Sequence, residues 1–307
     1  MRRPHWLPSH AAAVAALALA GTCLGGICLA AASGPPATGA EPPGGVSGPL
    51  AAAGGSPATS SGPPAVASGP PAAASAPVVV ELFTSQGCAT CPPADHLLSQ
   101  LGSQGEQVIA LAYHVDYWNQ LGWSDPFSSR KWSERQERYG RMLGVGSIYT
   151  PQLVVNGRAE CVGNKRDDVL RKIADARSAE AAAKVSLAAE EVGEGRGRKV
   201  RIKVGARVER PGQGLDLWVA LTQSGLSTAV RAGENKSATL HDDFVVRQLR
   251  KAFSIPGKRG AERSGELTID VDSDWGEAPR LAVVAFVQEP STLAIRGAAA
   301  QALDAAR

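Results

Sequence analysis

The chain has 307 residues, of which 44% are hydrophobic, and its 32 basic and 29 acidic residues leave a net charge of +3. At roughly 100–200 residues per domain, this length predicts two folded domains with accessory segments. The balanced charge, without a basic stripe carrying interleaved aromatic residues, argues against nucleic acid as a partner.

The first 32 residues predict an export signal or an N-terminal membrane anchor. Arg2 and Arg3 precede an apolar, alanine-rich run over residues 11–32, and the small residues 30–32 offer a cleavage site. Because the run is longer than a usual signal core, an uncleaved tether to the membrane stays open as an alternative. Either outcome predicts a periplasmic or secreted protein, in a compartment where disulfides persist.

Three further segments follow this leader. Residues 33–76 are almost entirely Ala, Gly, Pro and Ser, which cannot bury a core and predict a disordered linker. Residues 77–183 alternate between strand and helix patterns and predict the first domain. Residues 184–307 show short alternating runs between turns and predict a smaller, mainly β, sandwich-like domain. That last segment contains no cysteine and one histidine, so no chemistry is assigned to it.

The segment 77–183 opens on the apolar run 78–83, which predicts a buried strand. Cys88-Ala-Thr-Cys91 comes next and leads directly into Pro92 and Pro93. Proline is favoured in the first turn of a helix, so the cysteine pair is predicted to lie at a helix N-terminus. The remaining predicted elements are a strand at 108–115, a helix at 130–143, a strand at 151–155, a hairpin turn at Asn156-Gly157, a return strand at 158–162 and a helix over 165–184.

A Cys-x-x-Cys pair at a helix N-terminus predicts thiol–disulfide exchange. The helix dipole and its free N–H groups stabilise a thiolate on the first sulfur, and the thiolate is the attacking species in exchange. Cys88 is therefore the predicted nucleophile, and Cys91, one turn further on, is the predicted resolving thiol. Cys161 is the third cysteine outside the leader, and we expect it to be a buried, inert thiol.

Metal binding is the competing interpretation of two closely spaced cysteines. A structural zinc site needs four protein ligands, and outside the leader only Cys161 and a few histidines remain, with no second cysteine pair to complete one. A copper-handling site with His96 or His114 as the third ligand stays open as an alternative. The sequence thus predicts no resident metal and no cofactor.

Several long motifs carry a family resemblance: Glu81-Leu-Phe-Thr-Ser-Gln-Gly-Cys-x-x-Cys-Pro-Pro-Ala-Asp95, His114-Val-Asp-Tyr-Trp118, Gly122-Trp-Ser-Asp-Pro-Phe127 and Tyr149-Thr-Pro-Gln152. Together they resemble a family of exported thioredoxin-like proteins catalogued as domain of unknown function 1223, within the thioredoxin superfamily. The resemblance covers about residues 77–180 and extends more loosely to Gly233-Glu-Asn and Val245-Val-Arg247. It implies an α/β thioredoxin-like domain followed by a smaller mainly β domain, and it leaves the substrate open.

The resemblance also implies roles for residues around the cysteine pair. Thr150 and Pro151 match the dipeptide that opens the strand facing the cysteines, where the proline is cis and the preceding backbone binds extended substrate. Glu81 is the implied proton shuttle for the resolving thiol. Asp116 is a second candidate, because alternation places His114 and Asp116 on one strand face.

One departure from the thioredoxin pattern stands directly before the first cysteine. Gly87 occupies the position that thioredoxins usually give to tryptophan, and the aromatic-rich insert over 113–132 is a candidate replacement. Trp118 of this insert is predicted to form part of a substrate-facing wall near Cys88, and the alternative is that the insert forms a local core.

The sequence therefore predicts an extracytoplasmic thiol–disulfide oxidoreductase acting on thiol- or disulfide-containing proteins or small molecules. Two alternatives stay open. In the first, the domain is a non-catalytic binding module with a structural disulfide. In the second, it is a copper chaperone that uses both thiols and a histidine.

Overall fold

The computed structural model describes residues 76–105, 107–194, 197–276 and 280–303, all within one compact unit. The predicted leader and all but the last residue of the predicted linker lie outside these residues. The α-helices are α1 (Pro92–Ser103), α2 (Arg130–Leu143) and α3 (Arg166–Arg177). No helix in the described ranges has the length and apolar character needed to cross a membrane.

Thirteen strands are found in the described residues. They are β1 (Val78–Thr84), β2 (Val108–His114), β3 (Gln152–Val155), β4 (Ala159–Val162), β5 (Ala183–Val192), β6 (Lys199–Val208), β7 (Leu215–Ser224), β8 (Leu226–Ala229), β9 (Thr239–Asp242), β10 (Val245–Ile255), β11 (Glu262–Asp270), β12 (Arg280–Gln288) and β13 (Ile295–Ala302). Eight of them form one mixed sheet in the order β13-β12-β7-β10-β2-β1-β3-β4. A three-stranded sheet (β11-β6-β5) and the β8–β9 hairpin complete the strand set.

The prediction of an α/β thioredoxin-like domain followed by a smaller mainly β domain is wrong. Strands from the first half of the chain (β1 to β4) and from the second half (β7, β10, β12 and β13) share the eight-stranded sheet. The junction lies where β10 runs parallel to β2, with Val245 opposite Ala112. The described part of the chain is thus mostly β, and β2 is an interior strand because β10 covers the edge that β1 leaves open.

The second half of the chain packs as a sandwich. Inward-facing residues of the three-stranded sheet, such as Ile202, lie against Leu217 and Val283 of the large sheet in one fully buried cluster. Alternation along β6 is regular, with Val200, Ile202 and Val204 buried between exposed lysine and arginine residues. The predicted alternating runs are therefore strands, and their charged residues form the outer face.

The two faces of β1 and β2 are covered by different helices, which decides what each side chain can reach. Even-numbered residues such as Leu82 and Ala112 pack with the apolar face of α1. Odd-numbered residues such as Phe83 and Tyr113 pack with α2, where Trp132 stacks edge-on against Tyr113. A side chain on the α2 face of β1 or β2 therefore lies across the sheet from α1, the helix whose N-cap is Cys91.

The helix predicted over 165–184 is shorter in the structure. It ends at Arg177, and Ala183 begins β5, which pairs along its whole length with β6. Alanine favours helix locally, but strand pairing with β6 overrides that preference. The sequence interpretation also missed β8, β9 and β13.

Candidate functional site

The predicted cysteine pair forms a disulfide at the N-terminus of α1. Cys88 and Cys91 are bonded, with their Cα atoms 5.5 Å apart, and both are buried at 1% and 0% exposure. Cys91 is the N-cap residue, and its carbonyl accepts hydrogen bonds from Ala94 N–H at 2.8 Å and Asp95 N–H at 3.1 Å. The Cys88 sulfur lies 3.4 Å from Thr90 Oγ1. The sulfurs thus lie at the positive end of a three-turn helix.

Trp118 links the cysteine segment to the Thr150-Pro151 dipeptide. A Cβ atom at Gly87 would lie 3.2 Å from Trp118 Cβ, so the tryptophan fills the space beside that glycine. The indole Nε1 donates to Thr150 Oγ1 at 2.8 Å. The Thr150–Pro151 peptide bond is cis, as the resemblance implies. Trp118 therefore lies beside Gly87, the residue before Cys88, and is half-buried there. Tyr113 and Trp132 of the same insert lie in a buried core cluster.

The turn after β4 brings Pro151 close to the helix that follows the cysteines. A Cβ atom at Gly163 would lie 2.7 Å from Leu82 Cδ1 and 3.3 Å from both Pro151 Cβ and Ala94 Cβ. The Gly163 N–H donates to the Pro151 carbonyl at 2.8 Å. The next residue, Asn164, donates from Nδ2 to the Thr90 carbonyl at 3.1 Å. The sequence interpretation missed this close contact, for which only a glycine at 163 leaves room.

A buried charged group, here named the His114 cluster, lies beneath the segment that precedes Cys88. It consists of His114, Asp125, Asp242 and Gln86, each no more than 3% exposed. His114 Nδ1 lies 2.7 Å from Asp125 Oδ2, and His114 Nε2 lies 3.9 Å from Asp242 Oδ1. Gln86 donates its N–H to Asp125 and its side-chain amide to Asp242, both at 2.8 Å. The cluster therefore fixes the chain at Gln86, two residues before Cys88.

The carboxylates of this cluster hold His114 in its charged form. Burial alone would lower the pKa of His114, but Asp125 and then Asp242 outweigh it and raise that pKa to about 9. Burial also opposes ionisation of Asp125, yet its contact with His114 keeps the pKa of that carboxyl below its usual range. Within the part of the chain that the structure describes, His114 Nε2 is buried without a hydrogen-bond partner, which leaves capacity for one more polar contact beside the cluster.

Asp95 connects this cluster to the disulfide. It lies in the first turn of α1, four residues after Cys91, so the two side chains lie on one side of the helix. Burial and the nearby carboxylate of Asp242 raise the pKa of Asp95 to about 7. A carboxyl group with its pKa raised to about 7 therefore lies one helical turn from Cys91.

The turn of the β8–β9 hairpin hydrogen-bonds the backbone of the cysteine segment. Asn235 Nδ2 donates to the carbonyls of Gln86 at 2.9 Å and Cys88 at 3.0 Å, and Glu234 Oε2 accepts from Ala89 N–H at 2.9 Å. These contacts span about 145 residues of sequence, so periodicity alone does not reveal them. The one signal was the loose family resemblance at Gly233-Glu-Asn, which the sequence interpretation left without a role.

Glu81 lies in a second buried group, here named the Glu81 cluster, with Arg135, Tyr139 and Gln288. Arg135 NH2 lies 2.7 Å from Glu81 Oε1, Tyr139 OH donates to Glu81 Oε2, and Gln288 Nε2 donates to Tyr139 OH at 2.8 Å. This cluster occupies the α2 face of β1, across the sheet from α1. The structure therefore surrounds Glu81 with fixed partners and places it away from Cys91.

The other predicted residues are dispersed. β2 ends at His114, and Asp116 beyond it accepts a hydrogen bond from Ser133 of α2, so His114 and Asp116 are not brought together. His96 is exposed and contacts Gln100 at 2.9 Å. Cys161 is buried in β4, where burial and the nearby Asp168 raise its pKa to about 11. Among the described residues, no group of three or more His, Cys, Asp or Glu side chains is placed to hold a metal ion.

Fold and site together define a β-rich protein with a Cys-x-x-Cys disulfide at the start of a helix. Residues 79–288 match the family described as "Protein of unknown function (DUF1223)", and the chain belongs to that family. No curated protein sequence matches the chain.

Two solved structures are similar over most of the chain. Protein AGR_C_4864 from Agrobacterium tumefaciens is 29% identical, with a TM-score of 0.54, covering 75% of this chain and 95% of that one. HBP35 of Porphyromonas gingivalis is 16% identical, with a TM-score of 0.54, covering 75% of this chain and 76% of that one. At this identity, the second similarity concerns the fold alone.

Proposed function

We propose that this protein is an extracytoplasmic thiol–disulfide oxidoreductase acting on protein or small-molecule thiols and disulfides. The observation that carries the proposal is the Cys88–Cys91 disulfide at the N-terminus of α1. A helix N-terminus stabilises the thiolate that exchange chemistry requires. The export signal predicted for the first 32 residues supports a location outside the cytoplasm. The likeness to the thioredoxin superfamily that we propose concerns the exchange chemistry of the Cys88–Cys91 pair. It does not extend to the fold.

The exchange proceeds through one mixed disulfide. In the reduced protein, the Cys88 thiolate attacks a substrate disulfide, forms a bond to one substrate sulfur and releases the other as a thiolate. Cys91 then attacks Cys88 Sγ, re-forms the internal disulfide and releases the second substrate thiol. The substrate gains two electrons and two protons, and the cysteine pair loses them. Two further thiols, such as two molecules of glutathione, reverse these steps: they regenerate the dithiol and are themselves oxidised to one disulfide.

Asp95 supplies a proton acceptor for the second step. Cys91 must lose its proton to attack, and Asp95 lies one helical turn away with its pKa raised to about 7 by burial and Asp242. An acid–base group is most effective when its pKa lies near the working pH. We assign this role to Asp95 in place of Glu81, because Arg135 and Tyr139 occupy both oxygens of the Glu81 carboxylate.

A second candidate function is supported by the burial of both sulfurs. In the oxidised form Cys88 and Cys91 are 1% and 0% exposed, so both residues are almost fully buried. A disulfide that never opens would serve as a structural link, and the domain would then act as a binding module. The two functions differ in one measurable property, the reduction potential of the pair.

A redox titration of the purified protein decides between them. The protein is equilibrated in glutathione buffers of known potential, free thiols are trapped by alkylation, and the Cys88–Cys91 peptide is quantified by mass. A midpoint between about −120 and −270 mV is expected for a working oxidoreductase. A pair that stays oxidised below about −300 mV would replace this proposal with the structural disulfide. The Cys161→Ala variant is the matched control, because it removes the remaining thiol of the described residues.

A further inference from the structure

One carboxylate lies close to the sulfur that an incoming thiol must attack. Glu234 Oε2 accepts a hydrogen bond from Ala89 N–H at 2.9 Å. Four covalent bonds join that nitrogen to Cys88 Sγ, so the carboxylate lies within about 8 Å of the sulfur. The screening length in physiological salt is also about 8 Å, so the charge still acts on groups that approach Cys88.

The β8–β9 hairpin fixes the position of this carboxylate. Asn235, the next residue, donates to the carbonyls on both sides of Gly87. On the other side, Gly233 has a positive φ of 74°, and a Cβ atom there would lie 3.1 Å from Trp123 Cβ. Trp123 in turn donates from Nε1 to Gln86 at 3.2 Å. Glu234 is therefore exposed to solvent yet held in one place beside the cysteine segment.

We propose that Glu234 is a specificity-determining residue that makes the Cys88–Cys91 disulfide select positively charged thiols over negatively charged ones as reductants. The inference rests on the proposed function and names the substrate class of the same site. In the first step, a thiolate attacks Cys88 Sγ, forms a mixed disulfide and releases Cys91 as a thiolate, which takes up a proton. A second thiolate then displaces Cys88, so that two thiols become one disulfide and the cysteine pair gains their two electrons.

The physical reason is the charge that accompanies the attacking sulfur. A fixed negative charge repels an anionic reductant and attracts a cationic one, and such effects act mainly on the rate of encounter. Other charged groups near the helix, such as Asp95, are the same in wild-type and variant proteins. For each protein we therefore take the ratio of its reduction rate with a cationic thiol to its rate with an anionic thiol. Effects of the unchanged groups cancel when this ratio is compared between variant and wild type.

The test measures reduction by three small thiols that differ in charge: cysteamine (cationic), 2-mercaptoethanol (neutral) and 2-mercaptoethanesulfonate (anionic). Reduction is stopped by alkylation and quantified by mass. Relative to wild type, we expect Glu234→Gln to lower the ratio of the cysteamine rate to the sulfonate rate about fourfold, from a change of about twofold in each. Glu262→Gln, an exposed carboxylate on β11 that pairs with Arg207, is the matched control and leaves the ratio unchanged.

The Asn235→Ala variant tests whether Glu234 must be held in place. Loss of its two hydrogen bonds loosens the hairpin, so we expect opening of the site to raise all three rates and the cysteamine-to-sulfonate ratio to fall from the wild-type value toward that of Glu234→Gln. If Glu234→Gln changes all rates by a common factor, or leaves the ratio unchanged, the charge-selectivity proposal is overturned.

If none of the three thiols reduces the disulfide, that result counts against the proposed function but does not test the role of Glu234. A second measurement then tests Glu234 on the reduced protein. The protein is reduced with a phosphine, the phosphine is removed, and Cys88 is alkylated with iodoacetate (anionic) or iodoacetamide (neutral). We expect Glu234→Gln to raise the iodoacetate-to-iodoacetamide rate ratio about twofold. An unchanged ratio in this assay overturns the inference independently of the redox potential.

Discussion

The Glu81 cluster and the His114 cluster are both buried and charged, but they lie on opposite faces of the β1–β2 pair. In the Glu81 cluster, one carboxylate meets one guanidinium, and Tyr139 and Gln288 complete the hydrogen bonds. In the His114 cluster, one imidazole faces two carboxylates, and its Nε2 has no hydrogen-bond partner in the described ranges of the chain. The first cluster is balanced in charge, whereas the second carries an excess of negative charge.

This difference separates a structural charge pair from a group that can exchange protons. Removal of one partner from a balanced, hydrogen-bonded buried pair is strongly destabilising, because it leaves an uncompensated buried charge. In the His114 cluster, the carboxylates raise the pKa of His114 to about 9 and keep it charged near neutral pH, whereas the neighbouring Asp95, with its pKa raised to about 7, changes protonation there. Only the second cluster contacts the segment that leads into Cys88.

The largest expected effect comes from breaking the balanced pair. Glu81→Gln leaves the Arg135 guanidinium buried without its counter-ion, and removal of one partner from such a pair costs about 3–5 kcal/mol of unfolding free energy. Denaturant unfolding measures this loss. The control is Glu137→Gln, which removes the partner of Arg141 in an exposed pair at 3.8 Å and is expected to cost less than about 1 kcal/mol. Equal losses in the two variants would contradict a structural role for the Glu81 cluster.

The next largest effect is expected at His114, and it depends on pH. The pKa of His114 is raised in the folded protein to about 9 from its ordinary value of 6.5, mainly by Asp125 against the opposing effect of burial. Its stabilising contribution is therefore complete below about pH 6.5 and is lost as the pH rises through about 9. We expect His114→Gln to lower the unfolding free energy by about 2–3 kcal/mol at pH 6 and by much less at pH 10.

Unfolding curves collected from pH 6 to 10 for wild type and for His114→Gln measure this difference. His96→Gln is the matched control, because His96 is exposed on α1 and its ring forms a hydrogen bond with Gln100 on the same helix. It is expected to follow wild type at every pH. A His114→Gln loss that stays constant across this range would mean that the imidazole is neutral in the folded protein, and the two clusters would then not differ in proton exchange.

Local patterns in the sequence were sufficient for the cysteine site. The apolar run at 78–83, the two prolines after Cys91 and the Asn156-Gly157 turn each predict structure from neighbouring residues, and each corresponds to an observed element. The hairpin turn has positive φ at both Asn156 (47°) and Gly157 (65°), which this dipeptide favours. These features depend on short-range sterics and hydrogen bonding, and one sequence is enough to read them.

Partners that are distant in sequence could not be predicted in this way. Alternation identifies β10 as a strand but does not show that Val245 lies opposite Ala112, and this pairing places strands from both halves of the chain in one sheet. Asp125, Asp242 and Asn235 were missed for the same reason, since each lies in or beside a loop and acquires its role only through tertiary contact. The position of Glu81 was predictable, but its partner on α2 was not.

The smallest of the three stability effects is expected at Asp95, which lies at the edge of the His114 cluster. Burial and Asp242 raise the pKa of Asp95 to about 7 from its ordinary 3.8, so the folded protein is disfavoured progressively as the pH rises from about 4 to about 7. Asp95→Asn removes that cost. Because the side chain is half-buried, we expect the unfolding free energy to rise by about 1–2 kcal/mol at pH 8 and to change little at pH 4.

The same variant removes the proton acceptor assigned to Cys91. The rate of oxidation of the dithiol by glutathione disulfide should therefore lose its inflection near pH 7. A variant that keeps this inflection would assign the proton transfer to another group, and a variant that is less stable at pH 8 would show that the ionised carboxylate contributes to the fold.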